Sequence, residues 1–116
     1  MAYTFLQHNN IQVLEVDNLW NPLDNQAIVR VVEEKIVEGF NDFVIDMGQM
    51  EYMNSSGLNF LISILTRARS AGGDVVIINV SEKIQQVLLI ARLNSMFAVH
   101  NSLEEGLAFF EEIAKQ

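Results

Sequence analysis

Cysteine is absent from the 116 residues, which excludes disulfides and thiolate metal sites and removes any sign of an oxidising compartment. Proline occurs once, at Pro22, and no low-complexity run interrupts the chain, so disordered and fibrous classes fit poorly. Positive charge is scarce: seven Lys and Arg, scattered along the chain, stand against fifteen Asp and Glu, for a formal net charge of −8. Without a basic stripe to displace counterions, groove binding to nucleic acid is disfavoured, and an anionic membrane surface repels such a chain. Protein partners of basic or mixed charge remain open. No apolar run approaches a membrane span, and the opening MAYTFLQHNN has neither the basic n-region nor the long apolar stretch of a signal peptide. The expectation is a cytoplasmic protein with no membrane insertion.

Hydrophobic residues make up half the chain. A chain of this length suits one domain, expected over 1–116, that buries about two thirds of the surface its unfolded form exposes.

YTFLQHNNIQVLEV holds two runs rich in aromatic and branched residues on either side of His8-Asn9-Asn10. Asparagine tolerates the left-handed backbone of a tight turn, so a β-hairpin is predicted. Val13 and Glu15 alternate with Leu14 and Val16, which predicts a partly solvated edge there. From Asn21-Pro22 to Gly39 the period becomes helical, with Ile28, Val31, Val32 and Ile36 on one stripe and Arg30, Glu33, Glu34 and Glu38 away from it. Asn21 with Pro22, or Asp24 slightly later, supplies the start, and Gly39 suits the stop.

DFVIDM, residues 42–47, reads as a strand buried on both faces of a parallel sheet. After a loop from Gly48 to Asn54, the spacing of Leu58, Leu61, Ile62, Leu65 and Ala68 predicts a second helix, ended by Gly72-Gly73. DVVIINV, 74–80, is the next buried strand. Ser81 opens a third helix with Ile84, Val87, Leu88 and Ala91 inward, and a short strand follows around Phe97 to His100. Ser102 and Glu105 have capping-box spacing, ahead of a stripe of Leu103, Leu107, Phe110 and Ala114. The order β-β-α-β-α-β-α-β-α is an α/β fold: an N-terminal hairpin, then alternating β/α units, in a mixed sheet of about five strands with about four helices. Strands alternating with helices imply parallel pairing through right-handed crossovers.

The phosphate-cradling motifs GxxxxGK[ST] and GxGxxG and the zinc motif HExxH are all missing, so no cofactor is expected. His8 in the turn and His100 at a strand end are more cheaply explained as structural or exposed residues than as ligands. MNSSGL, Met53 to Leu58, is different, because it sits at a strand-to-helix junction where ligands and partners meet parallel sheets. Asn54, Ser55 or Ser56 can serve simply as the helix cap. One serine can also be a residue that another protein modifies.

DMGQMEYMNSSGLNFLISIL, with Leu23-Asp24 and the β/α order, resembles the STAS domain of bacterial anti-sigma-factor antagonists over nearly the whole chain. Asp46, Tyr52-Met53, Ser55, Ser56, Gly57 and Leu58 match that family's signature without a gap, and Asn54 stands where its aspartate usually is. The resemblance implies a switch rather than an enzyme. An unphosphorylated member holds an anti-sigma factor that is also a serine kinase, and phosphorylation of the serine before the glycine, here Ser56, releases it. A PP2C-type phosphatase resets the modified form. Asp24 and Asp46 match family aspartates that position the loop or engage the partner, and Asn54, Ser55 and Gly57 complete the implied partner-binding set.

Physical chemistry makes such a switch sufficient. A phosphoserine adds about −1.5 to −2 charges in a first helical turn whose amides and dipole accept an anion, so the effect falls on the partner. A like charge in the partner at ~6 Å, with an effective dielectric of ~20, repels each added unit by roughly 3 kcal/mol before screening. Every ~1.4 kcal/mol is tenfold in affinity. Gly57 either relieves crowding at the helix start or lets a kinase approach Ser56. Phe60 and Ile64, on the flank of the stripe, form either a partner-facing ridge or the second half of a wide buried face. Asparagine at 54 keeps shape and acceptor but drops the charge, which eases repulsion of a phosphate and changes what a kinase meets.

Two other readings follow from the same residues. A constitutive docking subunit, of a stressosome or lipid-transporter assembly, keeps the fold without the switch. An enzyme or small-ligand module would use Asp24, Asp46 and Glu51, but nothing supplies a nucleophile-activating base or a metal cluster beside them.

Overall fold

The structure, a computed structural model, describes residues 3–114. Its elements are β1 (Tyr3–His8), β2 (Ile11–Val16), α1 (Pro22–Val37), β3 (Asp42–Asp46), α2 (Ser55–Ser70), β4 (Asp74–Ile78), α3 (Glu82–Ile90), β5 (Ala98–His100) and α4 (Leu103–Ala114). The strands form one sheet in the order β1-β2-β3-β4-β5, antiparallel between β1 and β2 and parallel elsewhere. The hairpin closes at His8↔Ile11 with Asn9 at φ 55°, the left-handed turn that asparagine allows.

Alternation along the central strands builds two unequal cores. Leu14, Val16, Phe43, Ile45, Val75 and Ile77 face α1, α2 and α3, whereas Ile11, Val13, Val44, Val76 and Ile78 face α4. Gly106 beds α4 on the second face: a Cβ there would stand 3.1 Å from Ile78 Cγ2. Val13 is therefore buried, and so is Gln12, because β2 is paired on both sides and α4 helps cover the face that Val13 shares. The solvated edge is β1, where Thr4, Leu6, Gln7 and His8 are exposed.

Caps set the helix boundaries. Asn21 caps α1, its side chain accepting from the amides of Leu23 (2.9 Å) and Asp24 (3.3 Å), and Asp24 lies in the first turn instead of before it. Ile28 and Val32 are buried, with Val31 and Ile36 half-buried beside them. Strands β3 and β4 end earlier than their apolar runs. Met47 still donates its amide to the Ile78 carbonyl (3.0 Å), but Asn79 turns left-handed at φ 57° and takes the chain out of the sheet, so the paired residues end at Asp46 and Ile78. Strand β5 starts at Ala98, leaving Phe97 as a core side chain. Ala91 is the exposed C-cap of α3 and does not point inward, since the helix stops at Ile90.

Phe60 and Ile64 are fully buried with Leu61, Leu65 and Ala68, which removes the partner-facing ridge. Helix α2 packs on the sheet and on α1 together, and two contact directions demand a wide apolar face. Ser102 Oγ accepts from the Glu105 amide (3.2 Å) at the start of α4, where Leu103 and Leu107 are half-buried and Phe110 is buried. The side chain of Ala114, expected on that stripe, lies outside the described residues.

Candidate functional site

Three parallel strands, β2, β3 and β4, deliver their carboxyl ends to one rim of the sheet, and the loops leaving them meet around the start of α2. The long loop between β3 and α2 is anchored by Met47, Met50 and Met53, spaced three apart and all buried in the main core. Polar staples hold it from both sides. Asp46 Oδ1 accepts from the Gly48 amide (2.9 Å) and from Asn79 Nδ2 (3.1 Å), tying the loop to the end of β4. Ser81, the N-cap of α3, accepts from the Ile84 amide (3.1 Å) and donates its hydroxyl to the Glu51 carbonyl (2.8 Å).

Asn54 is the cap of α2. Its Oδ1 accepts from the Gly57 amide (3.2 Å), as a serine or aspartate would, and its Nδ2 donates to the Trp20 carbonyl (3.2 Å) in the loop between β2 and α1. Asn25 makes a parallel link from α1, donating through Nδ2 to the carbonyls of Leu19 (2.9 Å) and Ser56 (3.3 Å). Among the described residues no donor reaches its buried Oδ1. Both carboxamides have an oriented donor side, because each faces carbonyls that only an N–H can satisfy.

This arrangement divides the two serines. Ser55 is exposed and Ser56 half-buried, in the second position of α2, and among the described residues no hydrogen bond engages the Ser56 hydroxyl. The first turn of α2 carries no acidic residue, so the positive end of its dipole is uncompensated from within the helix. Ser56 lines a shallow groove of about 270 Å³ between the starts of α1 and α2, with Asn25, Gln26, Val29 and Asn59 among its walls. Gly57 is buried, and a Cβ there would stand 3.0 Å from Met53 Cβ, Cγ and Sδ. Its bareness lets the helix start close on the loop, the crowding explanation.

Asp24 sits half-buried one residue before Asn25 and makes no side-chain hydrogen bond to the serine loop among the described residues. Asn25 supplies that link instead. Asp46 borders a separate depression of about 250 Å³, together with Glu15, Asp17 and Asn79, and neither Asp24 nor Glu51 lines it. The three carboxylates invoked for an enzyme thus share neither depression. His8 and His100 lie on the two opposite edge strands, His100 with its ring 5.6 Å from that of Phe109. Among the described residues no group of three potential metal ligands gathers.

Sequence reasoning missed Asn25 and Trp20 and gave Leu23 no role of its own. The first resembles any polar residue in an early helical turn, and its partners lie six and thirty-one residues away. Trp20 carried a signal, as the only tryptophan, placed directly before the Asn21-Pro22 helix start. Its ring lies 5.9 Å from that of Tyr52, and the two are 47% and 49% exposed; Leu23, three residues after Trp20, is 74% exposed. Large apolar side chains left in water at one rim mark an interaction surface more than a folding requirement.

Relatives share this frame. BtrV of Bordetella bronchiseptica, whose name assigns it provisionally to the anti-sigma factor antagonists, is 27% identical over 91 residues, 78% of each chain. The solution structure of TM1081, from Thermotoga maritima, superposes with a TM-score of 0.86 at 18% identity, covering 100% of this chain and 91% of that one. The anti-sigma factor antagonist SpoIIAA of Bacillus superposes in its unphosphorylated form with a TM-score of 0.81 at 14% identity, over 96% of this chain and 97% of that one. With the STAS domain model matching residues 4–106, from the hairpin through the start of α4, the chain belongs to the STAS domain family.

Proposed function

We propose that this protein is an anti-sigma-factor antagonist: it binds an anti-sigma factor of the serine-kinase type when Ser56 is unmodified and releases it when Ser56 carries a phosphate. The observation that carries the reading is the division of labour at the start of α2. Asn54 takes the capping duty, so the Ser56 hydroxyl is left without a structural hydrogen bond among the described residues, in the first turn of a helix whose preceding loop carries exposed Tyr52 and is bonded to exposed Trp20. The named relatives support it, and the Bacillus protein SpoIIAA has structures in both unphosphorylated and phosphorylated forms.

Ser55, Gly57, Asp24 and Asp46 serve the surface in different ways. Ser55 faces solvent in the first turn, Gly57 closes the helix onto Met53, and Asp46 holds the loop to β4. Asp24 contributes negative charge at the start of α1, complementary to a basic or mixed-charge partner. The domain performs no chemistry itself, and a PP2C-type phosphatase resets it in the cytoplasm.

Incubation with the serine-kinase anti-sigma factor and ATP, followed by mass spectrometry, tests the assignment. One phosphate on Ser56, absent from Ser56→Ala, is the expected result. Modification that persists in Ser56→Ala defeats it.

A second reading, a constitutive docking subunit of a larger assembly, is favoured by Asn54, which removes the aspartate a family kinase usually meets. It separates cleanly: Ser56→Asp leaves partner binding unchanged if docking is constitutive and weakens it strongly if the switch operates.

A further inference from the structure

The carboxamide of Asn54 does two things that an aspartate cannot do together. Its oxygen caps α2 through the Gly57 amide, and its nitrogen reaches the Trp20 carbonyl thirty-four residues earlier. A carboxylate would keep the first bond and set an acceptor against an acceptor at the second. The residue that departs from the family's usual aspartate is therefore a cross-brace between the Ser56 loop and the loop between β2 and α1. Asn25 holds the adjacent Leu19 carbonyl to Ser56 from the other side, so two successive carbonyls of that loop are fastened to the serine segment. The Trp20 and Tyr52 rings, one on each braced loop, stand 5.9 Å apart and half-exposed.

We propose that Asn54 is the positioning residue of the docking surface: its doubly bonded carboxamide locks the two loops so that Trp20 and Tyr52 form one preformed apolar platform at the entrance to the helix that carries Ser56. This rests on the antagonist reading for its partner, and the occupant it commits to is an apolar side chain of that anti-sigma factor. Trp20, Tyr52 and Leu23 carry no charge, and Tyr52 lies on the loop that leads directly into α2 and Ser56. The same apolar contact explains why a phosphate disrupts it, since the added charge must lose water against an uncharged side chain of the partner. Preformation lowers the ordering cost of binding.

Trp20 is the only tryptophan, so its fluorescence reports the brace with no partner present. Asn54→Asp keeps a good cap and has no donor, Asn54→Ser keeps a good cap on a side chain too short to cap and reach the Trp20 carbonyl together, and Asn54→Ala loses both. Loss of one such hydrogen bond raises the population of the opened loop about fivefold. Acrylamide quenching of Trp20 is expected to rise in all three variants, with the melting temperature falling most in Asn54→Ala. Quenching in Asn54→Asp equal to the wild type overturns the brace. A rise confined to Asn54→Ala does the same, because it assigns the effect to the lost cap.

Titration with the serine-kinase anti-sigma factor then addresses the platform. Blue-shifted Trp20 emission and about tenfold weaker binding by Trp20→Ala are expected, at the scale of an interface anchor. Unchanged affinity in Trp20→Ala removes the platform from the interface. No binding by the wild type defeats the antagonist reading and the platform's role with it, while the quenching series still decides the brace.

Discussion

Asn25 donates through Nδ2 to the backbone carbonyl of Ser56 at 3.3 Å, so the serine at the centre of the candidate site is tethered to α1 by its main chain while its hydroxyl stays unengaged. That tether is structural, whereas the modification proposed for the hydroxyl is a separate role, and the two separate experimentally. Asn25→Ala removes the donor for both Leu19 and Ser56, and the buried Leu19 carbonyl loses this partner, while that of Ser56 stays in the helical ladder of α2. A loss of about 1–3 kcal/mol is expected in urea denaturation, with the slope unchanged. Asn25→Asp is expected to be worse, since it turns an acceptor toward those same carbonyls.

Gly57 sets a helix propensity against a steric contact. Alanine in place of glycine inside a helix is worth up to about 1 kcal/mol in favour of the substitution. Against this, a Cβ would press on three successive atoms of Met53 at 3.0 Å, and Met53 is buried. Overpacking of that kind costs about 1–3 kcal/mol, so Gly57→Ala is expected to destabilise the protein. Adding Met53→Ala should then cost less than it does alone, a negative coupling read from a double-mutant cycle. Stabilisation by Gly57→Ala would show that the glycine is not there to relieve crowding.

How much of this was legible in the sequence depends on how far apart the interacting residues are. Element order and the caps at Ser81 and Ser102 followed from short spacings, because periodicity and capping are local physics, whereas the choice of Asn21 over Asp24 as the cap of α1 did not. The burial of Phe60, Ile64 and Val13 depended on which neighbours covered each face, and that is decided by packing of distant elements. Asn54 was recognised as a departure and as a cap, but its second bond required knowing that Trp20 arrives beside it. Asn25 was invisible for the same reason.

Far from this rim, at the start of β3, the Asp42 carboxyl is raised above its ordinary value of 3.8. Burial is the main cause and the neighbouring Asp74 charge adds to it, against a bond from the Asp74 amide. Between 3.8 and the raised native value, the folded protein holds a proton that the unfolded chain has lost. The contribution of Asp42 to stability therefore falls as pH rises through that window. The substitution Asp42→Asn keeps an acceptor for the Asp74 amide and abolishes the titration. Its stability relative to wild type is expected to improve as pH rises from acid to neutral in paired urea titrations. A difference that stays flat, or shrinks, contradicts the assignment.

The central claim is that a phosphate on Ser56 controls partner affinity. Calorimetric titration of the serine-kinase anti-sigma factor with unmodified protein and with protein fully phosphorylated at Ser56 tests it most directly. Weakening by at least about tenfold is the predicted result, the effect of half the charge repulsion a single facing like charge exerts. Equal affinities for the two forms would contradict it.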